Sequence, residues 1–146
     1  MDLQTFFPYR LARLAEAVSQ ATAQVYGERF HLSRDEWRVL AALADQGEVK
    51  TTQLIATTTL DKMRASRAIT RLEDEGLVAR STDPEDGRGH LVKLKPAGQA
   101  LVRKIVPMVR AREAFLLEAL SAQERDVLDR ALDRVHERAA QLVQQG

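Results

Sequence analysis

Two short segments, Leu77-Val78-Ala79-Arg80-Ser81 and His90-Leu91-Val92-Lys93-Leu94, alternate apolar and polar residues on either side of a loop. The loop reads Asp83-Pro84-Glu85-Asp86-Gly87-Arg88-Gly89. A period of two around a turn-rich loop specifies a two-stranded hairpin. Everywhere else the apolar residues recur at helical spacing. The chain therefore reads as a mainly α fold with a small β-hairpin wing. The loop also poses a chemical question. Arg88 stands between two glycines, beside Asp83, Glu85 and Asp86. A loop that only had to turn would not need a cation at its tip.

The helices around the hairpin carry their own punctuation. From Phe6 to about Gly27, Leu11, Leu14, Val18 and Val25 form one stripe of an amphipathic helix. A second helix opens at Ser33, with Glu36 completing a capping box and Gly47 as the stop. Trp37, Leu40 and Leu43 are its inward residues. A short third helix spans roughly Thr51 to Thr57, and the threonines after it suit a turn, because β-branched residues lose side-chain freedom in helices. Asp61 caps a fourth helix that runs to about Glu75 and ends at Gly76. After Pro96 a long helical pattern runs from Ala97 to about Leu120, with Pro107 expected to kink it. A last helix is capped at Ser121 with Glu124, and Leu128, Val135 and Leu142 recur along it seven apart. Residues 33–96 thus form a winged helix-turn-helix unit. Residues 1–32 and 97–146 are helical ends whose length predicts a homodimer built from both.

Composition bounds the chemistry. The chain has no cysteine, which removes disulfides, thiolate metal sites and thiol redox switching, and fits a cytoplasmic protein. Neither a secretion signal nor a run long enough to span a membrane is visible. Net charge is +1, so a polyanion-binding surface has to come from local patterning. The fourth helix supplies it. At 100° per residue, Ala65, Ile69 and Leu72 share one side, while Met63, Ser66, Arg67, Thr70 and Arg71 share the other with Arg64 beside them. Lys62 to Arg71 holds four cations and no acid, and Glu73, Asp74 and Glu75 close the helix. Acids at a helix C-terminus oppose its dipole, so stability alone does not explain this order. A basic, hydroxyl-bearing N-terminal half suits phosphates and base edges. The bland alternative is a solvated face that happens to be basic. A cation on the wing tip in turn suits a narrow minor groove. Asp86 is expected to cap the turn or hold an arginine.

These residues resemble a known family. Trp37-Arg38-Val39-Leu40, the Ser66-Arg67 pair, Leu72-Glu73 before Gly76-Leu77-Val78, Asp83-Pro84-x-Asp86-x-Arg88 and Pro96-x-Gly98 together resemble the MarR family of bacterial transcriptional regulators. The resemblance implies a homodimer with two winged-helix lobes on a pseudo-palindromic DNA operator, usually repressing until a small ligand releases it. It also makes the helix from Asp61 to Glu75 the recognition helix, with Lys62, Met63, Arg64, Ser66, Arg67, Thr70 and Arg71 facing double-stranded DNA. Arg88 becomes the wing-tip arginine and Asp86 its support. Two positions depart from the family's pattern: Lys95 stands where threonine is frequent before the proline, and Met63-Arg64 where small or hydroxyl residues are frequent.

A small aromatic or phenolic acid is expected as effector where the first, second and long fifth helices meet, with Tyr9, Arg10, His31, Trp37 and Arg38 as candidate contacts. Two rival classes stand beside this reading. An enzyme finds little support, because His31, His90 and His136 lie in separate segments and no phosphate loop, nucleophile elbow or metal-binding motif occurs. No cofactor or metal is expected. A winged-helix module that binds protein instead of DNA is the other alternative; it has no need of a basic helix face combined with a wing cation.

Overall fold

The computed structural model describes residues 1–146 as six helices and three strands. In chain order these are α1 (Phe7–Phe30), α2 (Arg34–Gln46), β1 (Val49–Lys50), α3 (Thr51–Thr58), α4 (Lys62–Asp74), β2 (Val78–Thr82), β3 (His90–Leu94), α5 (Pro96–Glu118) and α6 (Ala122–Gln145). The chain forms two compact units, Met1–Val109 and Arg110–Gly146.

In the first unit the core gathers under the short helices and the sheet. Val39, Leu40 and Leu43 of α2, Leu54 of α3, Ile69 and Leu72 of α4, Val78 and Val92 of the sheet, and Ile105 of α5 are each almost wholly buried. Burying a side chain such as Ile69 or Leu72 contributes about 1.5–3 kcal/mol. That drives α4 onto its apolar side and leaves its polar side in water. The caps expected from the sequence form: Ser33 Oγ accepts from Glu36 N at 3.1 Å, Glu36 Oε1 accepts from Ser33 N at 3.1 Å, and Asp61 Oδ1 accepts from Arg64 N at 2.8 Å. Between α3 and α4 the backbone reverses at Thr59, with φ of 61°.

The sheet is larger than a hairpin. β2 and β3 pair antiparallel from Val78↔Leu94 to Thr82↔His90, and β1 adds a third strand through Val49↔Val92 and Lys50↔Leu91, giving the order β1-β3-β2. Two residues carry too little periodicity to be read as a strand; partners far along the chain make them one. α5 runs through Pro107 as a single helix.

Where α5 starts, it packs against the residue before β2. The Leu77 carbonyl accepts from Lys95 N at 2.9 Å, and Gly98 is buried beside the same carbonyl, where a Cβ would overlap the Leu77 oxygen.

In the second unit, Ser121 and Glu124 form a reciprocal capping box at the start of α6, with Ser121 N donating to Glu124 Oε1 at 2.9 Å. Arg125 Nε donates to the Leu117 carbonyl at 2.9 Å across the turn. No α6 residue is buried within the chain, and Val127, Leu128, Leu132, Val135 and Leu142 stay exposed.

Helix propensity alone favours alanine over glycine by about 1 kcal/mol. Gly98→Ala is nevertheless expected to destabilise the protein by about 1–3 kcal/mol, the cost of overpacking against a backbone group. Urea unfolding reads this as a lower midpoint, whereas Gly87→Ala, in open space, leaves the midpoint nearly unchanged.

Candidate nucleic-acid interface

The outer face of α4 consists of Lys62, Met63, Arg64, Ser66, Arg67, Thr70 and Arg71, all exposed. The cations crowd towards the N-terminal half, which already carries the positive end of the helix dipole. Within the helix itself only the Asp61 cap offsets this, since the first turn contains no acid. An external anion is the partner such an end favours.

The four cations have different surroundings. Lys62 is exposed at the first helical position. Arg67 reaches along the helix, with Nη2 3.0 Å from Met63 Sδ. Arg64 is held by α2 instead: its Nε and Nη2 donate to the two oxygens of Asp35 at 3.0 and 2.6 Å, and this carboxylate raises the guanidinium pKa further. Arg71 Nε lies 3.5 Å from Glu36 Oε2, and Glu36 is buried. The cations that face solvent without a carboxylate partner are therefore Lys62 and Arg67.

A side chain that the sequence did not single out joins the wing to this helix. Arg80, half-buried on β2, donates from Nη2 to Thr70 Oγ1 at 3.0 Å and lies 3.5 Å from Glu73 Oε1. Glu73 therefore serves the wing, which accounts for an acid at an unfavourable helix end. In sequence Arg80 looks like any polar residue of an alternating strand.

The wing loop is built on two carboxylates. Asp86 Oδ1 accepts from Arg88 N at 3.1 Å, and the Asp86 carbonyl accepts from Gly89 N at 2.9 Å, so Asp86 turns the chain at the tip. Arg88 stands exposed there, and neither flanking glycine takes a positive φ. Asp83 roots the loop. Its buried carboxylate accepts from Glu85 N at 2.9 Å and sits 3.5 Å from Lys50 Nζ, while Asp83 N donates to the Gly89 carbonyl at 3.0 Å. The Glu85 amide, followed by Lys50, holds the Asp83 carboxyl below its ordinary pKa against the opposing effect of burial. Asp83 was visible in the sequence as part of an Asp-Pro turn; Lys50, far away in sequence, was not.

Between α1 and α2 lies a cleft of about 430 Å³ lined by Leu14, Val18, Thr22, Tyr26, Trp37 and Arg38 among others. Tyr26 stacks on Trp37 with ring centroids 5.4 Å apart. Burial raises the Tyr26 pKa, opposed by Arg34, Arg38 and a hydrogen bond with Thr22. Of the residues expected at an effector site, Trp37 and Arg38 line this cleft and Tyr9, Arg10 and His31 do not. Tyr9 is exposed beneath Arg13, 6.0 Å from its ring centre. His31 ends α1 in the left-handed conformation, its N–H donating to the Gly27 carbonyl. Tyr26 and Thr22, missed in sequence, lie on the α1 stripe that also reads as plain core.

Comparison with known proteins decides what this surface belongs to. The family model described as MarR family matches residues 32–90. An HTH-type transcriptional regulator of Mycobacterium bovis is 32% identical over 131 residues, covering 84% of this chain and 90% of that protein. The chain belongs to the MarR family of transcriptional regulators. The HTH-type transcriptional repressor NicR of Pseudomonas putida is 32% identical over 94 residues, 64% of this chain and 60% of that one. A solved structure of Bordetella bronchiseptica BpsR, whose DNA binding is regulated by 6-hydroxynicotinic acid, superposes with a TM-score of 0.83 at 27% identity, covering 93% of this chain and 96% of that one. In MarR-family terms α3 and α4 are the helix-turn-helix and β2–β3 the wing.

In this MarR-family chain Asp83 binds its proton less readily when folded than when unfolded. Its contribution to wing order is complete above the ordinary aspartate pKa of about 3.9 and is lost as pH falls through the lower folded value. Amide exchange should therefore show the Glu85 N–H protected at neutral pH and at pH 5, with protection falling below about pH 4. In Asp83→Asn that acid-dependent loss should disappear, with protection reduced throughout.

Proposed function

We propose that this regulator acts as a homodimer that binds a pseudo-palindromic DNA operator and represses transcription until a small aromatic acid releases it. Residues 33–96 form the DNA-binding lobe of each protomer, and residues 1–32 and 97–146 supply the dimerisation helices, in the cytoplasm. Exposed Phe6, Phe7 and Leu11 on one chain end and the uncovered apolar stripe of α6 on the other support an oligomer, because apolar patches of this kind are normally covered. The observation that carries the DNA reading is Arg80. By tying β2 to Thr70 and Glu73, it makes the wing and the recognition helix one rigid unit, able to present Arg67 and Arg88 together.

In this mechanism α4 enters the major groove. Arg67 and Ser66 read base edges, Lys62 pairs with phosphate, Met63 packs on base edges, and Arg88 enters the flanking minor groove with Asp86 setting its backbone. Thr70 takes its part through Arg80. Binding weakens steeply with salt as phosphate counterions are displaced. On the duplex the protein binds best, Arg67→Ala should cost about 1–3 kcal/mol if its guanidinium grips guanine, and less on random DNA. Arg88→Ala should weaken both, in fluorescence anisotropy titrations. Equal losses on both duplexes for Arg67→Ala would remove its base-reading role.

The regulation of BpsR by a hydroxylated aromatic acid supports the same ligand class here. The α1–α2 cleft offers aromatic walls in Tyr26 and Trp37 and a cation in Arg38 for the carboxylate. A ligand acts only by favouring one state of the dimer over the other. We expect 6-hydroxynicotinate or a simple phenolic acid to raise the melting temperature and weaken DNA binding, and Arg38→Ala to abolish both effects. Neither effect in the wild type would remove this ligand class.

A further inference from the structure

We infer that Asp35 is a specificity-determining residue that withholds Arg64 from DNA unless the correct site displaces it, an inference that rests on the DNA-binding reading above. The recognition helix presents four cations, yet α2 supplies a carboxylate for two of them from adjacent positions. The two pairs differ in kind. Glu36 is buried and its other oxygen caps α2, so the Arg71 pair is part of the scaffold. Asp35 has no second task of this sort. It faces Arg64 with both oxygens, in a fork of 2.6 and 3.0 Å, and the Arg64 side chain is still about half exposed.

That geometry makes a reversible latch. Arginine pairs best with two parallel acceptors, and the O6 and N7 of guanine offer the same two-acceptor pattern as a carboxylate. A single backbone phosphate on random DNA can attract Arg64 as well, but it first has to overcome the Asp35 fork. An ion pair open to water is weak enough to exchange and strong enough to bias the choice. Asp61, the α4 cap, adds a second carboxylate near Arg64 and so deepens the cost of taking it away. With Arg64 withheld, sequence-independent attraction depends on Lys62, Arg67 and Arg88, and discrimination between sites rises.

The test compares wild type and Asp35→Asn on the best-bound duplex and on random duplex of the same length, across a salt series. The variant should bind random DNA roughly two- to fivefold more tightly, as a partly exposed ion pair of this kind implies. Its plot of log affinity against log salt should steepen by about one unit, because one more cation reaches phosphate. Affinity for the best-bound duplex should change less, so the specificity ratio falls, and Asp35→Glu should restore it. In an Arg64→Ala background, Asp35→Asn should have no effect, which separates a latch from a general loss of helix stability. If wild type binds no duplex, the DNA-binding reading itself falls and this inference with it. If wild type binds but Asp35→Asn leaves random-DNA affinity and salt slope unchanged, or lowers binding to both duplexes, only the role of Asp35 is overturned.

Discussion

One carboxylate, that of Glu36, joins the start of α2 to the outer face of α4. One oxygen accepts from Ser33 N and starts α2; the other faces Arg71 on α4. Burying a charge is costly unless it is paired and hydrogen-bonded, and Glu36 is both. Burial of Ile69 and Leu72 in the core sets the rotation of α4, and at that rotation Arg71 comes within reach of Glu36. The opposite face, with Ser66 and Arg67, therefore points outward. The wing follows from that orientation, because Arg80 can bind Thr70 and Glu73 only when α4 presents them to β2.

The first turn of α2 is where most of these constraints meet. Asp35 and Glu36 pair with arginines of α4, Trp37 stacks on Tyr26 of α1, and Arg38 lines the α1–α2 cleft. Four consecutive residues of a helix point in four directions, so a single turn borders both the cleft and α4. Its capping box makes that turn rigid.

Much of this arrangement was legible in the residues, because local signals carried it. Ser33 with Glu36, Asp61, and Ser121 with Glu124 mark helix starts through spacing alone, and the alternation at Val78–Thr82 and His90–Leu94 marks the two long strands. What sequence could not carry were contacts between distant segments. β1 is two residues whose pairing lies in β3; Lys50 meets Asp83, and Arg64 meets Asp35, across long stretches of chain. The sequence shows four cations on α4 but not that two of them, Arg64 and Arg71, meet carboxylates of α2. Nor does the sequence show that neither glycine beside Arg88 takes a positive φ. Three of the expected effector contacts also lie outside the α1–α2 cleft. Tyr9, Arg10 and His31 have suitable chemistry, but the cleft takes its aromatic wall from Tyr26.

The central claim is that two copies of the α4 face and wing read one DNA site. Selection of bound duplexes from a random pool, with the mass of the complex recorded, tests it most directly. The account predicts an inverted repeat with half-sites about one helical turn (~34 Å) apart, bound by two chains. A pool that yields no preferred sequence at low as well as moderate salt, or a preferred site bound by a single chain, would contradict it.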